Sequence, residues 1–280
     1  MTISKEKMSA QHIWGVVRYF LVAIIVVFFS VPVVWTVLTS VKPDILIPKM
    51  PPSWWFRPTG EHYVSIFLEK HLGKALWNSF IIASVSTICS LAVGVPAAYA
   101  FSRFRIPGGE NLAFYFLTSR MAPPISVILP LFLIFKTLHL IDTRVALIIA
   151  YMTFNFSFVI WMMRGFFNEI PKDLDESAMI EGCSRFGAFC KIVLPLTAPG
   201  IAASAVLCFI FSWNEFLFAL ILTNIEAKTL PVAAAGFITD RMVLWGKLCA
   251  TSVVIYLPVM LFALLLRRYL VRGLTLGAIK

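Results

Sequence analysis

A chain of 280 residues with 60% hydrophobic and only 14% charged side chains is too apolar for a soluble domain, whose charged share is about 25%. The net charge of +10 would suit nucleic acid in a soluble protein, but here the bases gather at the ends of apolar runs, where lipid headgroups and topology account for them. A soluble fold and nucleic-acid binding are therefore both excluded, and an all-α integral membrane protein is expected.

Residues 1–18 are short, polar and basic, and read as a cytosolic N-terminal tail. The charge-free run 19–41 is long enough to cross about 30 Å of hydrocarbon. It lacks a small-residue cleavage site, so it is expected to stay as the first span. Residues 42–74 form the longest polar connection, where Trp54, Trp55 and Phe56 suit an interfacial anchor better than a ligand box. A second span is expected at 75–101, with Asn78 and Ser79 near its start, Gly94 allowing close helix approach and Pro96 bending it. The third, at 112–135, is interrupted by Pro123, Pro124 and Pro130; the fourth is placed at 145–163. A fifth at 197–222 and a sixth at 248–266 complete one membrane domain over 19–268, followed by a basic tail at 269–280.

Five scattered cysteines and four isolated histidines show no metal-ligand spacing, so neither a metal site nor a disulfide is expected. There is no G-x4-G-K-[ST] and no polar domain for nucleotide, so ATP and Mg would have to be bound by other chains.

The longest polar interruption of the C-terminal half is the loop 170–195. Pro171 followed by Asp173, Asp175 and Glu176 gives a helix start, and Gly182 a helix stop. Ser184 is a candidate N-cap for a second short run ending at Pro195. Two short helices with a sharp bend at Gly182 are expected, lying outside the membrane where a partner can grip them.

Glu176-Ser177-Ala178, three residues, Gly182, nine residues, then Ile192-Val193-Leu194-Pro195 resembles the EAA loop of ABC importer permeases, with Ser177 in place of the first alanine. Further stretches agree: Ala97 to Phe104, Met121-Ala122-Pro123-Pro124, Asp142-Thr143, Trp213-Asn214-Glu215-Phe216, Thr229-Leu230-Pro231-Val232 and the ending Gly273-Leu274-Thr275-Leu276-Gly277-Ala278. Together, from about residue 15 to the end, they resemble MalG-like permeases of carbohydrate ABC importers, with six transmembrane helices in the ABC type I importer permease fold.

The resemblance implies a non-catalytic subunit of an importer for a sugar or sugar derivative in the bacterial inner membrane. Its partners would be a second permease forming a heterodimer, two ATP-binding cassette ATPases and a periplasmic or extracellular solute-binding protein. Carried over, Glu176, Ser177, Ala178 and Gly182 would contact the ATPase, and Ile192, Leu194 and Pro195 would pack against the span ends. Gly273, Thr275 and Gly277 resemble a C-terminal tail that reaches the ATPase. Six spans with both termini cytosolic place thirteen basic residues inside and ten outside, and parity with the gripped loop decides that orientation.

Two charges inside apolar runs should face protein or water. Arg120 lies about 12 Å into span three and Glu215 about 27 Å into span five at 1.5 Å per residue, an offset that argues against a direct pair. Glu215 with Trp213 and Asn214, and more weakly Arg120 and Asn155, are candidates for the pathway or a gate. The alternative is a secondary transporter or channel subunit using Glu215 as an intramembrane ion or proton site, though that class usually shows internal repeats and more spans. No converging set of His, Asp or Ser suggests a membrane enzyme.

Overall fold

The computed structural model describes the backbone of residues 2–275 and the side chains of residues 14–264 apart from residue 16. The first helices are α1 (Thr2–Ser40), the short α2 (Glu61–Val64), α3 (Leu72–Arg103), α4 (Gly109–Ser119), α5 (Pro124–Thr137) and α6 (Arg144–Glu169). Next come α7 (Asp173–Ile180), α8 (Arg185–Ala188), α9 (Leu194–Leu196) and α10 (Ala198–Trp213). The chain closes with α11 (Leu217–Leu222), α12 (Leu230–Ala235) and α13 (Trp245–Thr275). An apolar solvent leaves the backbone to satisfy its own polar groups, and helices do so within each segment. Among the described residues four helices are long and apolar enough to cross a membrane: α1 over Val17–Ser40, α3, α6, and α13 over Trp245–Leu264. There are six if α4 with α5, and Arg185–Leu196 with α10, each count as one bent span.

Two of the expected spans are broken rather than straight. The stretch 112–135 is not one rod, because α4 and α5 meet at 94°. Pro123 and Pro124 lack the N–H groups that would continue the ladder, and their rings clash with the preceding turn. In the last turn of α4 the hydroxyls of Thr118 and Ser119 bond back to the carbonyls of Phe114, Tyr115 and Phe116. The stretch 197–222 is interrupted at residues 214–216, between α10 and α11. At the ends, α1 already begins at Thr2 and α13 continues to Thr275, so the described backbone of both expected tails is helical. Charge alone does not end a helix, since Lys, Arg and Glu are good helix formers.

The described chain divides into two compact units, one running to Lys70 and including Phe237–Val254, the other comprising His71–Gly236 and the rest of α13. In the first, α1 keeps its apolar side chains from Tyr19 to Val34 on the surface. The connection after it is pinned locally: the His62 ring meets the Lys42 carbonyl at 2.8 Å and Ser40 Oγ meets the Tyr63 hydroxyl at 2.8 Å.

The second unit is built on α3, α6 and α10, which pack against one another. Gly94 lets α3 approach α6: a Cβ there would stand 2.7 Å from Val159 Cγ1 and 2.9 Å from Val159 Cβ. Gly94→Val should therefore force the helices apart and cost about 1–3 kcal/mol. A melting curve in detergent should show a midpoint several degrees lower, with Gly94→Ala between the two; an unchanged midpoint would mean that the helices have room to spare. Between the helices run two apolar clusters. One joins Ile82, Leu147, Tyr151, Phe218 and Leu222. The other joins Val95, Phe158, Met163, Phe167, Phe189 and Val193.

Candidate functional site

The loop 170–195 forms two short helices about a sharp corner. Asp173, Asp175 and Glu176 occupy the first turn of α7, where negative charge suits the free N–H groups. Gly182 ends it at φ +90°, donating to the Met179 carbonyl while Cys183 donates to that of Ala178. The Ser184 hydroxyl caps α8 by accepting from the Gly187 N–H at 3.1 Å.

The helical period then divides the residues between two faces. Glu176, Ser177 and Gly182 are exposed. Ala178 is not: at 2% exposure it packs within its own chain and presents no surface to a partner. In the second half of the loop the packing is uneven. Val193 is the residue fully buried, Leu194 packs partly against the same cluster, Ile192 is half-buried and Pro195 is exposed. Two apolar side chains that the motif does not contain, Ile180 at 87% and Phe186 at 74%, stand free on the outer side.

Asp175, on the inner face with Ala178, is held by Arg103 at the end of α3. Arg103 Nε lies 2.6 Å from Asp175 Oδ2, off the line of the N–H bond, and both side chains are buried. The two Nη groups of Arg103 donate to the carbonyls of Phe167 and Ile170, each at 3.0 Å, and the Tyr99 hydroxyl donates to Asp175 Oδ1 at 3.0 Å. One guanidinium thus ties the ends of α3 and α6 to α7. The two charged partners are 72 residues apart, beyond the reach of local pattern.

A cavity of about 790 Å³ in the second unit gathers three of the polar candidates, Arg120, Asn214 and Glu215, among Phe154, Phe211 and Phe218. The depth count on straight helices set Arg120 and Glu215 apart; the right-angle break after α4 brings both to one cavity. The Arg120 guanidinium is sandwiched between Phe158 and Phe211, 4.6 and 4.5 Å from their ring centres. Glu215 accepts from the Phe218 and Ala219 N–H groups at 2.9 and 3.1 Å, so its carboxylate starts α11. That engagement makes it a structural cap and speaks against a freely titrating ion site. Trp213 does not face the cavity: it is buried, its indole N–H donates to the Ile255 carbonyl, and its ring stacks on Phe209. Asn155 is likewise internal, donating to Ser212 Oγ at 2.8 Å, with Ser86 donating to the same oxygen. It bridges α6 to α10, as buried amides do between apolar helices.

The sequence model of the family described as binding-protein-dependent transport system inner membrane component matches residues 90–276. The chain belongs to this family. A probable ABC transporter permease protein of Sinorhizobium fredii is 40% identical, over 89% of this chain and 90% of that protein. The trehalose/maltose transport system permease protein MalG of Thermococcus litoralis is 36% identical, over 96% of this chain and 97% of its own length. Among solved structures, a bacterial ABC transporter involved in the import of the acidic polysaccharide alginate superposes with a TM-score of 0.75. It covers 93% of this chain and 97% of that one, at 22% identity, a likeness of fold. The chain thus has the type I importer permease fold and is a multi-pass membrane protein.

At the Leu72 end of α3 the permease holds a loop by a device the motif reading did not include. Asp142, itself at φ +58°, accepts from four successive N–H groups, those of Asn224, Ile225, Glu226 and Ala227. Asn78 donates to the Glu226 and Lys228 carbonyls and accepts from Arg144, and Ser79 accepts from Leu230. Partial burial works to raise the Asp142 pKa, but the four donors outweigh it and hold the carboxyl at about 2, below its ordinary 3.8. A depressed pKa stabilises the fold fully above the unfolded value and loses that effect as pH falls through the folded one. Discounted for the partial exposure of the carboxylate, Asp142→Asn should cost about 1 kcal/mol near neutral pH. Melting the two proteins side by side, the gap should close as pH approaches 2; a gap independent of pH would remove charge from the explanation. Gly273 and Thr275, expected in a tail contact, lie in the backbone of α13 with their side chains outside the described residues, and Gly277 lies outside them altogether.

Proposed function

We propose that this permease is one of two transmembrane subunits of an ATP-driven importer for a sugar or sugar derivative, and that it forms half of the translocation pathway. The relative named for trehalose and maltose transport supports the substrate class. The observation that carries the coupling role is the loop 170–195: its inner face is locked to α3 and α6 through Asp175, while Glu176, Ser177, Ile180, Gly182 and Phe186 stand outward. Such a loop is a stiff lever. An ATPase that grips the outward face and closes displaces α7, and the ends of α3 and α6 move with it.

In this reading two ATPase subunits bind ATP and Mg in the cytosol, a homologous permease completes a heterodimer, and a binding protein delivers the sugar from the opposite side. Both termini are cytosolic, and the cavity at Arg120, Asn214 and Glu215 is this chain's share of the pathway. Its aromatic walls and scattered polar groups suit a hydroxyl-rich ligand. The test is purification of the tagged chain co-expressed with its neighbouring transport genes, followed by native mass determination and reconstitution. One copy with a second permease and two ATPases, with hydrolysis stimulated by sugar-loaded binding protein, is expected. A stable oligomer without any ATPase would end the reading.

A further inference from the structure

In the first unit, two residues beyond the end of α1, Lys42 is 95% buried, with only 5% of its surface exposed. Burying an ammonium is costly unless its hydrogens find acceptors. Among the described residues no carboxylate comes within ion-pair distance of it. Its company is aromatic: Nζ stands 5.3 Å from the ring centre of Trp35 and 5.0 Å from that of Phe56. Ring faces attract a cation but accept no hydrogen bond of ordinary strength.

Lys42 borders a cavity of about 350 Å³, shared with Trp35, Thr39, Ile47, Trp245 and Cys249. No acidic residue lines it; Asp44, the nearest acid in sequence, faces His62 at 3.8 Å instead. The lining therefore combines donor-bearing side chains, Lys42, Trp35, Trp245, Thr36 and Thr39, with the apolar Ile47, Pro48 and Cys249. It sits at the end of a 24-residue apolar segment, Val17–Ser40, where tryptophans mark the headgroup level of a bilayer.

We propose that this cavity binds the headgroup phosphate of an anionic phospholipid. The phosphodiester oxygens take the Lys42 ammonium and the indole N–H groups, and the glycerol and upper acyl carbons lie on Ile47 and Cys249. A zwitterionic headgroup fits less well, because the lining holds no carboxylate for its ammonium. A free phosphate leaves the apolar part of the cavity unused.

The test uses the permease co-purified with its transport partners in mild detergent, with phosphatidylglycerol or phosphatidylethanolamine added in equal amount and counted by native mass spectrometry. Phosphatidylglycerol should be retained about ten-fold better. Lys42→Met should erase that preference and Lys42→Arg keep it. Equal retention of the two lipids by the native protein, or a preference that survives Lys42→Met, overturns the proposal. If Lys42→Met does not fold, Trp245→Leu is read in its place: the preference should fall to about three-fold, and no change overturns the proposal. Millimolar inorganic phosphate should leave the lipid bound; displacement would assign the site to a free anion. Retention by the isolated chain but not by the assembled importer would assign the cavity to an acidic side chain of a partner. None of these outcomes depends on whether the cargo is a sugar.

Discussion

Gly182→Val is expected to separate ATP hydrolysis from uptake. The residue stands at φ +90° and a Cβ there would meet nothing within 4 Å in its own chain, so the obstacle is backbone strain rather than space. A left-handed conformation costs an L-residue roughly 1–2 kcal/mol, and a β-branched one is a clear outlier there. The valine variant should relieve the strain by opening the corner between α7 and α8, which turns the outward face away from its partner. With the importer reconstituted, uptake per ATP hydrolysed should fall by about ten-fold or more. Gly182→Asn separates the causes, because asparagine tolerates this region. Near-normal coupling with asparagine assigns the effect to φ; loss with asparagine as well assigns it to a partner surface pressed against the glycine. Normal uptake by the valine variant at normal expression would remove the lever from the mechanism.

The larger loss should come from Arg103. Removing one partner of a buried ion pair strands the other, typically at about 3–5 kcal/mol. Arg103→Ala would leave the Asp175 carboxylate, 10% exposed, with only the Tyr99 hydroxyl, and would also free the Phe167 and Ile170 carbonyls. The assembled complex should melt well below the native one and lose coupling. Asp175→Asn should be milder: the amide oxygen can still accept from Tyr99, and the Arg103 guanidinium, though it loses its counter-charge, keeps the Phe167 and Ile170 carbonyls. Equal melting of Arg103→Ala and native protein would show that α7 is held by its apolar contacts alone.

What the sequence disclosed and what it withheld follow from range. The corner at Gly182 was legible because proline, acids and glycine act on their own backbone, at fixed offsets, whatever lies around them. The long apolar helices were legible for the same reason. The 94° break at Pro123-Pro124 was signalled by the same proline chemistry, but reading the two halves as one span hid its consequence, that Arg120 and Glu215 share a cavity. Ala178 could not be oriented from the motif, because which side of α7 is inward depends on where Arg103 arrives from another helix. Trp213 looked like a gate residue beside Glu215, yet one turns to Ile255 and the other to the cavity, a matter of side-chain direction that adjacency does not fix. Asp142 stood in a stretch resembling the family, but its four donors come from more than eighty residues away.

That arrangement at Asp142 bears on survival in a compartment containing proteases. Proteolytic enzymes bind a target stretch drawn out straight, reaching for its main-chain N–H and C=O groups as a neighbouring strand would. Asn224, Ile225 and Glu226 lie at the surface, where nicking usually starts. Their N–H groups are already committed to one carboxylate, which keeps the stretch curled. An exposed loop of this kind is visible to a partner that reads its side chains, and closed to an enzyme that must first unbend its backbone.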